Sequence, residues 1–453
     1  MKKIHAIRLL SFVIIFCLLF SIVSAVLQDK RVVGEYNPTT KIKGFYQEEK
    51  NSLDFVFVGS SQLYAHIAPA VLWRDYGITS YDFAANEQPL WISYYYIKEA
   101  LKHQKPKAIV LEVFTIYGAD YEEEGVNHIN LDDLPLSLNK LRAIHDSVPK
   151  DLRYSYYFNL AKYHSTWSSL DKDKYLATFL NEQDPMKGYS PFVFEKEYKA
   201  EANPEIVNQK ETEEIPQRAK EWLDKIVELT KEEGVDLIFL KTPNGNAERQ
   251  KLYNSMELYA EEQGIPFLNL NTVLDGEAHI NILQAEKVTK TVGEYLTDRY
   301  EVAAKEERSQ NVQTSFDHSA DLFQSYYSKC QLLAVANFEE YWEFAKANHY
   351  IAILSKNYNE VNPKGQIVVM DGGNILVEET LPMKQGGILE KELTIEGMNL
   401  ALSAGEDTSI MIDGLEYSMH ADGYNLVLYD KVLGEFVEMV SFHESNNMKM
   451  ERK

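Results

Sequence analysis

Apolar positions along this chain fall into two patterns: short unbroken runs that stop at Gly, Ser or Pro, and stripes of helical period between them. The run Asp54-Phe-Val-Phe-Val-Gly59 predicts a buried parallel strand ending at Gly-Ser-Ser, and Ala108-Ile-Val-Leu-Glu-Val-Phe114 predicts a second. A helix over Trp91–His103 precedes the latter. Glu213–Glu233 predicts a helix with Pro216 in its first turn and Ala219, Trp222, Ile226, Val227 and Leu229 as its apolar stripe. Strand Val235–Leu240, helix Ala247–Glu262, strand Ile265–Leu270 and helix Gln284–Tyr300 continue the alternation. Strands alternating with helices predict an α/β fold, a parallel sheet flanked by helices. Between residues 135 and 200 the chain is aromatic-rich and irregular, read as an insertion with short helices.

Both ends follow other rules. Lys2, Lys3 and Arg8 precede an uncharged run from Leu9 to Leu27, whose 19 residues reach roughly 28 Å as a helix. That length matches a bilayer core, and basic residues before it predict residues 1–8 as a cytoplasmic tail with everything after Gln28 outside. A cleavable signal peptide is the alternative, with Val23-Ser24-Ala25 as the small-residue site; the length of the run, which continues past that site, favours an anchor at 9–27. Residues 28–50 read as a polar stalk, broken by Gly34, Pro38 and Gly44, and the polar residues 301–320 as a linker. From 321 to 453 short strands dominate: Tyr350–Leu354, Gln366–Met370, Asn374–Glu378, Ser409–Ile412, Tyr424–Tyr429 and Phe436–Phe442. Turns such as Gly372-Gly373, Asp413-Gly414 and Asp422-Gly423 separate them, giving a smaller β-rich C-terminal domain after one or two helices.

Charge narrows the function. Forty-six Lys and Arg against 69 Asp and Glu leave a formal charge of −23, which excludes nucleic acid as a partner and disfavours strongly anionic polymers. Cys17 and Cys330 are the two cysteines, too few for a disulfide framework or a cysteine zinc site. No phosphate loop, dinucleotide fingerprint or metal spacing occurs, so neither a cofactor nor a metal is expected.

The chemistry gathers at two places. Ser61 follows Gly59-Ser60 at the carboxyl end of the first strand, where open parallel sheets bind ligands and backbone N–H groups can face an oxyanion. Alone, such a turn is more often a helix cap. At the far boundary of the domain, Leu274-Asp-Gly-Glu-Ala-His-Ile-Asn281 puts acids and His279 in one loop, the base and orienting group that a serine nucleophile needs. A surface loop whose histidine caps the next helix is the plainer alternative. Tyr94-Tyr-Tyr96 and Tyr154–Phe158 are read mainly as packing, with stacking on sugar rings as the other use.

Phe55-Val-Phe-Val-Gly-Ser-Ser61, Tyr81-Asp-Phe83, Gln88-Pro-Leu-Trp91, Lys105–Glu112, Tyr163–Trp167, Lys187-Gly-Tyr189 and His279-Ile-Asn281 together resemble the SGNH/GDSL hydrolase superfamily over residues 51–300. The resemblance is strongest to its membrane-anchored bacterial branch, which accompanies envelope polysaccharide or teichoic-acid acylation. It implies Ser61 as nucleophile and His279 as base, with Ser61 and Asn86 at the oxyanion. The family's Asp-x-x-His spacing falls on Gly276, so Asp275 is carried over as the acid across a one-residue shift, with Glu277 beside it. Glu87 stands where the family's oxyanion turn tends to have glycine. Ser403-Ala-Gly405, Ser409–Tyr417, Gly423–Asp430 and Gly434–Phe442 resemble an interleukin-like/PANDER-type domain. The resemblance implies signalling, as in secreted cytokine-like proteins, or glycan recognition, as in a glycosyltransferase stem, and no catalytic residue; glycan recognition is the expectation for this chain.

The expectation is a single-pass cell-membrane protein with an extracytoplasmic body. It would use Ser61, His279 and Asp275 for ester hydrolysis or acyl transfer on a cell-envelope glycan, alongside a membrane-bound O-acyltransferase. The contrasting expectation is a non-catalytic glycan-binding or scaffold protein on a degenerate SGNH fold.

Overall fold

The computed structural model describes residues 2–28, 38–118, 124–179, 183–196, 202–244, 247–271, 279–347, 349–360, 362–419, 423–446 and 448–452. They form two compact units, Met1–Phe323 and Gln324–Lys453.

The first unit opens with helix α1 (Lys2–Leu27), in which Ile4–Leu27 is long and apolar enough to cross a membrane, with mean hydropathy 2.9. Lys2–Arg8 of the expected tail thus form its first turns. Helix α2 (Pro38–Phe45) lies in the expected stalk, yet Lys41, Ile42 and Phe45 are buried, so this stretch belongs to the domain. Gly44 read as a break is a close contact instead: a Cβ there would meet Asp184 N at 2.5 Å.

A doubly covered sheet follows. Strand β1 (Phe55–Val58) leads into α3 (Ser61–His66) and α4 (Pro69–Tyr76), then β2 (Ser80–Asp82), α5 (Leu90–His103) and β3 (Ala108–Glu112). The insertion holds short helices α6 (Glu124–Leu131), α7 (Leu138–Ser147), α8 (Arg153–Tyr157), α9 (Asn159–Tyr163), a 3-10 helix over His164–Ser169, α10 (Lys172–Ala177) and α11 (Pro204–Val207). Then come α12 (Gln217–Glu233), β4 (Asp236–Lys241), α13 (Gln250–Gln263), β5 (Phe267–Asn269) and α14 (Ile282–Thr297). The strands are parallel, in the order β2-β1-β3-β4-β5. Val56, Ile109 and Phe239 join the core formed with Tyr96 and Ile97 of α5 and Leu223 and Ile226 of α12. The alternate residues Phe55, Phe57, Val110 and Ile238 are buried on the other face, which is why each strand reads as an unbroken apolar run.

The expected linker is also part of this unit. Helix α15 (Gln310–Leu333) puts Val312 and Phe316 into the first core, and Trp73 Nε1 donates to Asp317 Oδ1 at 2.7 Å. The division between units falls within α15, after Phe323.

The second unit adds α16 (Phe338–Ala345) and the strands β6 (Tyr350–Lys356), β7 (Lys364–Asp371), β8 (Asn374–Pro382), β9 (Ile388–Ile395), β10 (Met398–Gly405), β11 (Ser409–Ile412), β12 (Leu415–Glu416), β13 (Gly423–Asp430), β14 (Glu435–His443) and β15 (Lys449–Arg452). Two antiparallel sheets result, β15-β14-β13-β6-β7-β8 and β12-β11-β10-β9. Ile351, Ile353, Ile367 and Val369 pack against Leu400, Leu402, Ile410 and Ile412 between them. The other face of the larger sheet is covered by Leu332 of α15 and Tyr341 of α16.

Candidate functional site

The first strand delivers its serines through a turn fixed from below. A Cβ on Gly59 would sit 2.6 Å from Glu112 Cβ, so only glycine lets the turn lie on the end of β3. Ser60 caps α3, its Oγ accepting from Gln62 N at 3.2 Å and donating to Glu112 Oε2 at 2.9 Å. Glu112 also accepts from Phe114 N at 2.7 Å. Beside it Lys241, at the end of β4, donates to Gln62 Oε1 at 3.0 Å. Both charges are buried: desolvation pushes the Glu112 carboxyl up and the Lys241 amine down, each opposed by the other's charge.

On this base stands Ser61, the one residue from Leu53 to Trp73 that is not buried. As the first residue of α3 its N–H has no carbonyl of the preceding turn to bond. One turn on, the Tyr64 hydroxyl donates to Asn86 Oδ1. Burial raises the Tyr64 phenol above its ordinary value, a hydrogen bond with Ser61 opposes this, and the Glu87 carboxylate adds to it. Ser61, Tyr64 and Asn86 therefore share one small polar site. The loop after β2 is drawn there because Phe83 N donates to Phe57 O at 2.9 Å and Ala85 N to Gly59 O at 3.4 Å. With its oxygen taken by Tyr64, the Asn86 amide keeps its Nδ2 donor available among the described residues. Glu87 adopts φ 46°, the left-handed conformation that favours glycine, and its side chain belongs to an exposed residue.

His279 precedes α14, whose cap is Asn281, with Oδ1 accepting from Gln284 N at 3.1 Å. The caps of α3 and α14 are thus Ser60 and Asn281, which leaves Ser61 and His279 free of that duty. The segment 190–192 runs between the two regions: Ser190 N donates to Tyr64 O at 2.7 Å and Phe192 O accepts from Ile282 N at 2.9 Å. The Phe192 ring stacks on His279 at 4.8 Å. Thr289 of α14 ties onto the end of α3, donating to His66 O at 3.3 Å and accepting from Ala68 N at 2.9 Å. His279 thus sits on elements adjoining α3, but no hydrogen bond joins it to Ser61; its Nε2 is buried without a partner among the described residues. Desolvation lowers its pKa from the ordinary value. Asp275 and Glu277 lie outside the described residues.

Sequence reasoning missed Tyr64, Glu112 and Lys241. The available signal was a charge closing an otherwise apolar strand, at Glu112 in β3 and Lys241 in β4. A second buried group lies near β2. Lys41 donates to Gly188 O at 2.9 Å and Tyr189 O at 2.7 Å, and burial pushes its pKa down to about 8 against the pull of Asp184 and Asp82. Among the described residues no cluster of His, Cys, Asp and Glu could hold a metal ion.

The fold and this turn define an α/β protein with a partly exposed serine at the carboxyl end of a parallel sheet. No family model and no curated protein matches the chain. A solved structure of a gut microbial diltiazem-metabolizing enzyme is similar at 10% identity and a TM-score of 0.16, over 80% of this chain. The chain spans 57% of that structure's length, a likeness too slight to place it in a family.

Proposed function

We propose that the first unit is a serine esterase or O-acyltransferase of SGNH type, anchored in the cell membrane and acting on a cell-envelope glycan. The observation that carries the reading is Ser61 itself, the single partly exposed residue in a buried stretch, beside Asn86 and Tyr64 and above a buried Glu112. In this reading Ser61 Oγ attacks an ester carbonyl, the new C–O bond pushes the carbonyl electron pair onto oxygen, and His279 takes the serine proton. Ser61 N–H and Asn86 Nδ2 hold the oxyanion. Collapse re-forms the carbonyl, breaks the bond to the departing alkoxide, and returns the proton from His279 to it. Water or a sugar hydroxyl then resolves the acyl-enzyme by the same steps in reverse. Asp275 is proposed to orient the imidazole, and a membrane-bound O-acyltransferase to supply or receive the acyl group. The second unit is proposed as a PANDER-type glycan-recognition module.

A fluorophosphonate probe tests this: the parent chain is expected to be labelled, and Ser61→Ala and His279→Ala are expected to lose the label. Asp275→Asn is expected to weaken it strongly and Glu277→Gln little. A second reading, a glycan-binding scaffold that has lost its chemistry, draws on the missing hydrogen bond between His279 and Ser61. An unlabelled parent chain that retains envelope glycan would establish that reading instead.

A further inference from the structure

The insertion between β3 and α12 carries a surface that ester chemistry does not use. Among the described residues, the first unit has twelve exposed large apolar side chains beyond α1, and ten of them fall between Leu136 and Phe179. Trp167 is 71% exposed, Tyr154 60% and Phe158 57%. Scattered exposed hydrophobes are ordinary, but large aromatics concentrated in one segment mark an interaction surface. The segment is also short of acid: residues 152–170 contain no Asp or Glu, in a chain of formal charge −23.

This same segment is built onto the apolar helix. The Phe20 and Phe158 rings meet edge to face at 6.5 Å. Thr166 Oγ1 donates to Leu27 O at 2.5 Å, supplying a partner for a carbonyl in the last turn of α1. Asn159 Nδ2 donates to Gln28 Oε1 at 3.1 Å, and Gln28 Nε2 to Asp133 Oδ1 at 2.9 Å. Phe20 lies seven residues before the end of α1, a drop of roughly 10 Å along its axis. Whatever surrounds Phe20 in a spanning helix therefore also surrounds Phe158.

We infer that Tyr154, Tyr157, Phe158 and Trp167 form a lipid-facing belt that enters the outer leaflet beside α1, making the first unit a monotopic as well as an anchored body. Tyr and Trp suit that depth, because their rings are apolar and their O–H and N–H reach the headgroups. Arg153 lies in the same acid-free stretch, where anionic headgroups favour it, while Lys162 pairs with Glu124 of α6 at 3.2 Å. A bilayer fits the surface better than a protein partner does, because the surface continues a helix whose own surroundings at Phe20 are lipid. The inference rests on α1 spanning the membrane and is independent of the serine chemistry.

The test reconstitutes the full chain, with a protease site placed within residues 29–37, into protein-free phosphatidylcholine–phosphatidylglycerol vesicles. After cleavage the parent body is expected to stay on the vesicles. The body of the Phe158→Ser, Trp167→Ser double variant is expected to come off, its bound-to-free ratio falling about tenfold or more. In the uncut chain, nitroxides high on the acyl chains are expected to quench a part of the tryptophan emission that Trp167→Phe lacks. Both substitution sites are exposed, so the variants are expected to melt with the parent. Release of the parent body by the cut overturns the inference, as does quenching that Trp167→Phe leaves unchanged. Release from these vesicles together with retention on vesicles that carry other membrane proteins overturns it in favour of a protein occupant. An uncut chain that fails to sediment with vesicles overturns the spanning reading of α1, and the belt with it.

Discussion

His279 and Glu112 show how burial sets the terms at single residues. Desolvation lowers the His279 pKa from its ordinary 6.5. As the proposed base, His279 must be neutral, so probe labelling is expected to hold through pH 6.5 and decline only below it. The linkage has the same direction: between the folded value and 6.5 the unfolded chain binds more protons, so stability falls as pH drops through that window. An acid limb of labelling centred above 6.5 would show that His279 is not the titrating base. Glu112 accepts from Ser60 N, Ser60 Oγ and Phe114 N and faces Lys241, so Glu112→Ala strips three donors and a buried cation of their partner at once. A loss of about 3–5 kcal/mol is expected in denaturant melts. Glu112→Gln should cost less, since an amide oxygen still accepts and burial already draws Lys241 toward its neutral form. The places of Ser61, at the end of β1, and His279, just before α14, were legible from local motifs, because a strand that stops at Gly-Ser-Ser and a polar loop before a helix are both written in consecutive residues. Glu112 and Lys241 were not, because their meeting depends on the register Glu112↔Leu240 between β3 and β4. No stretch of either strand reveals which residue of the other it will face.

Elements with a single periodicity were read with little error, and those that mix roles were misread. Strands β1, β3 and β4 are covered on both faces and announce themselves as apolar runs. Strand β2 is three residues, Ser-Tyr-Asp, whose polar members are buried at the sheet edge, and no pattern marks it. Strands β9 and β10 were missed because Glu390-Lys391-Glu392 interrupts the apolar residues of β9, whose outer face is solvated. Helix α15 is the most consequential case. Its first turns are polar enough to resemble a linker, yet Phe316 is fully buried in the first core, its ring tilted against Trp73 at a ring distance of 5.4 Å. A chain ending after Ser309 therefore loses a core aromatic and is expected to lose about 3–5 kcal/mol of stability, with probe labelling reduced accordingly. A chain ending after Phe323 keeps that contact and should melt and label like the first unit of the parent, and on the proposed role of the second unit it should retain less envelope glycan. Equal stability of the two truncations would mean that α15 contributes nothing to the first core.

For the whole molecule the deciding question is whether α1 stays attached, and the packing gives a physical answer. The small-residue site Val23-Ser24-Ala25 would release a body beginning near Val26, as a signal peptide does. Those residues are helical here, and Ser24 to Gln28 are partly covered rather than exposed. Thr166 holds Leu27 O, and Gln28 is held from both sides by Asn159 and Asp133. Cleavage near Val26 would leave Phe158 without Phe20 and the aromatic segment without its apolar neighbour. The uncleaved chain is therefore expected in the membrane fraction with its N-terminal peptide intact by mass spectrometry. On the proposed topology, in which the basic residues Lys2, Lys3 and Arg8 keep the other end inside, protease added outside intact cells is expected to digest the body and spare α1. Thr166→Val removes the bond to Leu27 O without adding bulk, and is expected to loosen α1 from the body while leaving the chain anchored. Recovery of a soluble parent chain that starts near Val26 would overturn the anchor, and the contacts of Phe20, Leu27 and Gln28 would then describe only the precursor.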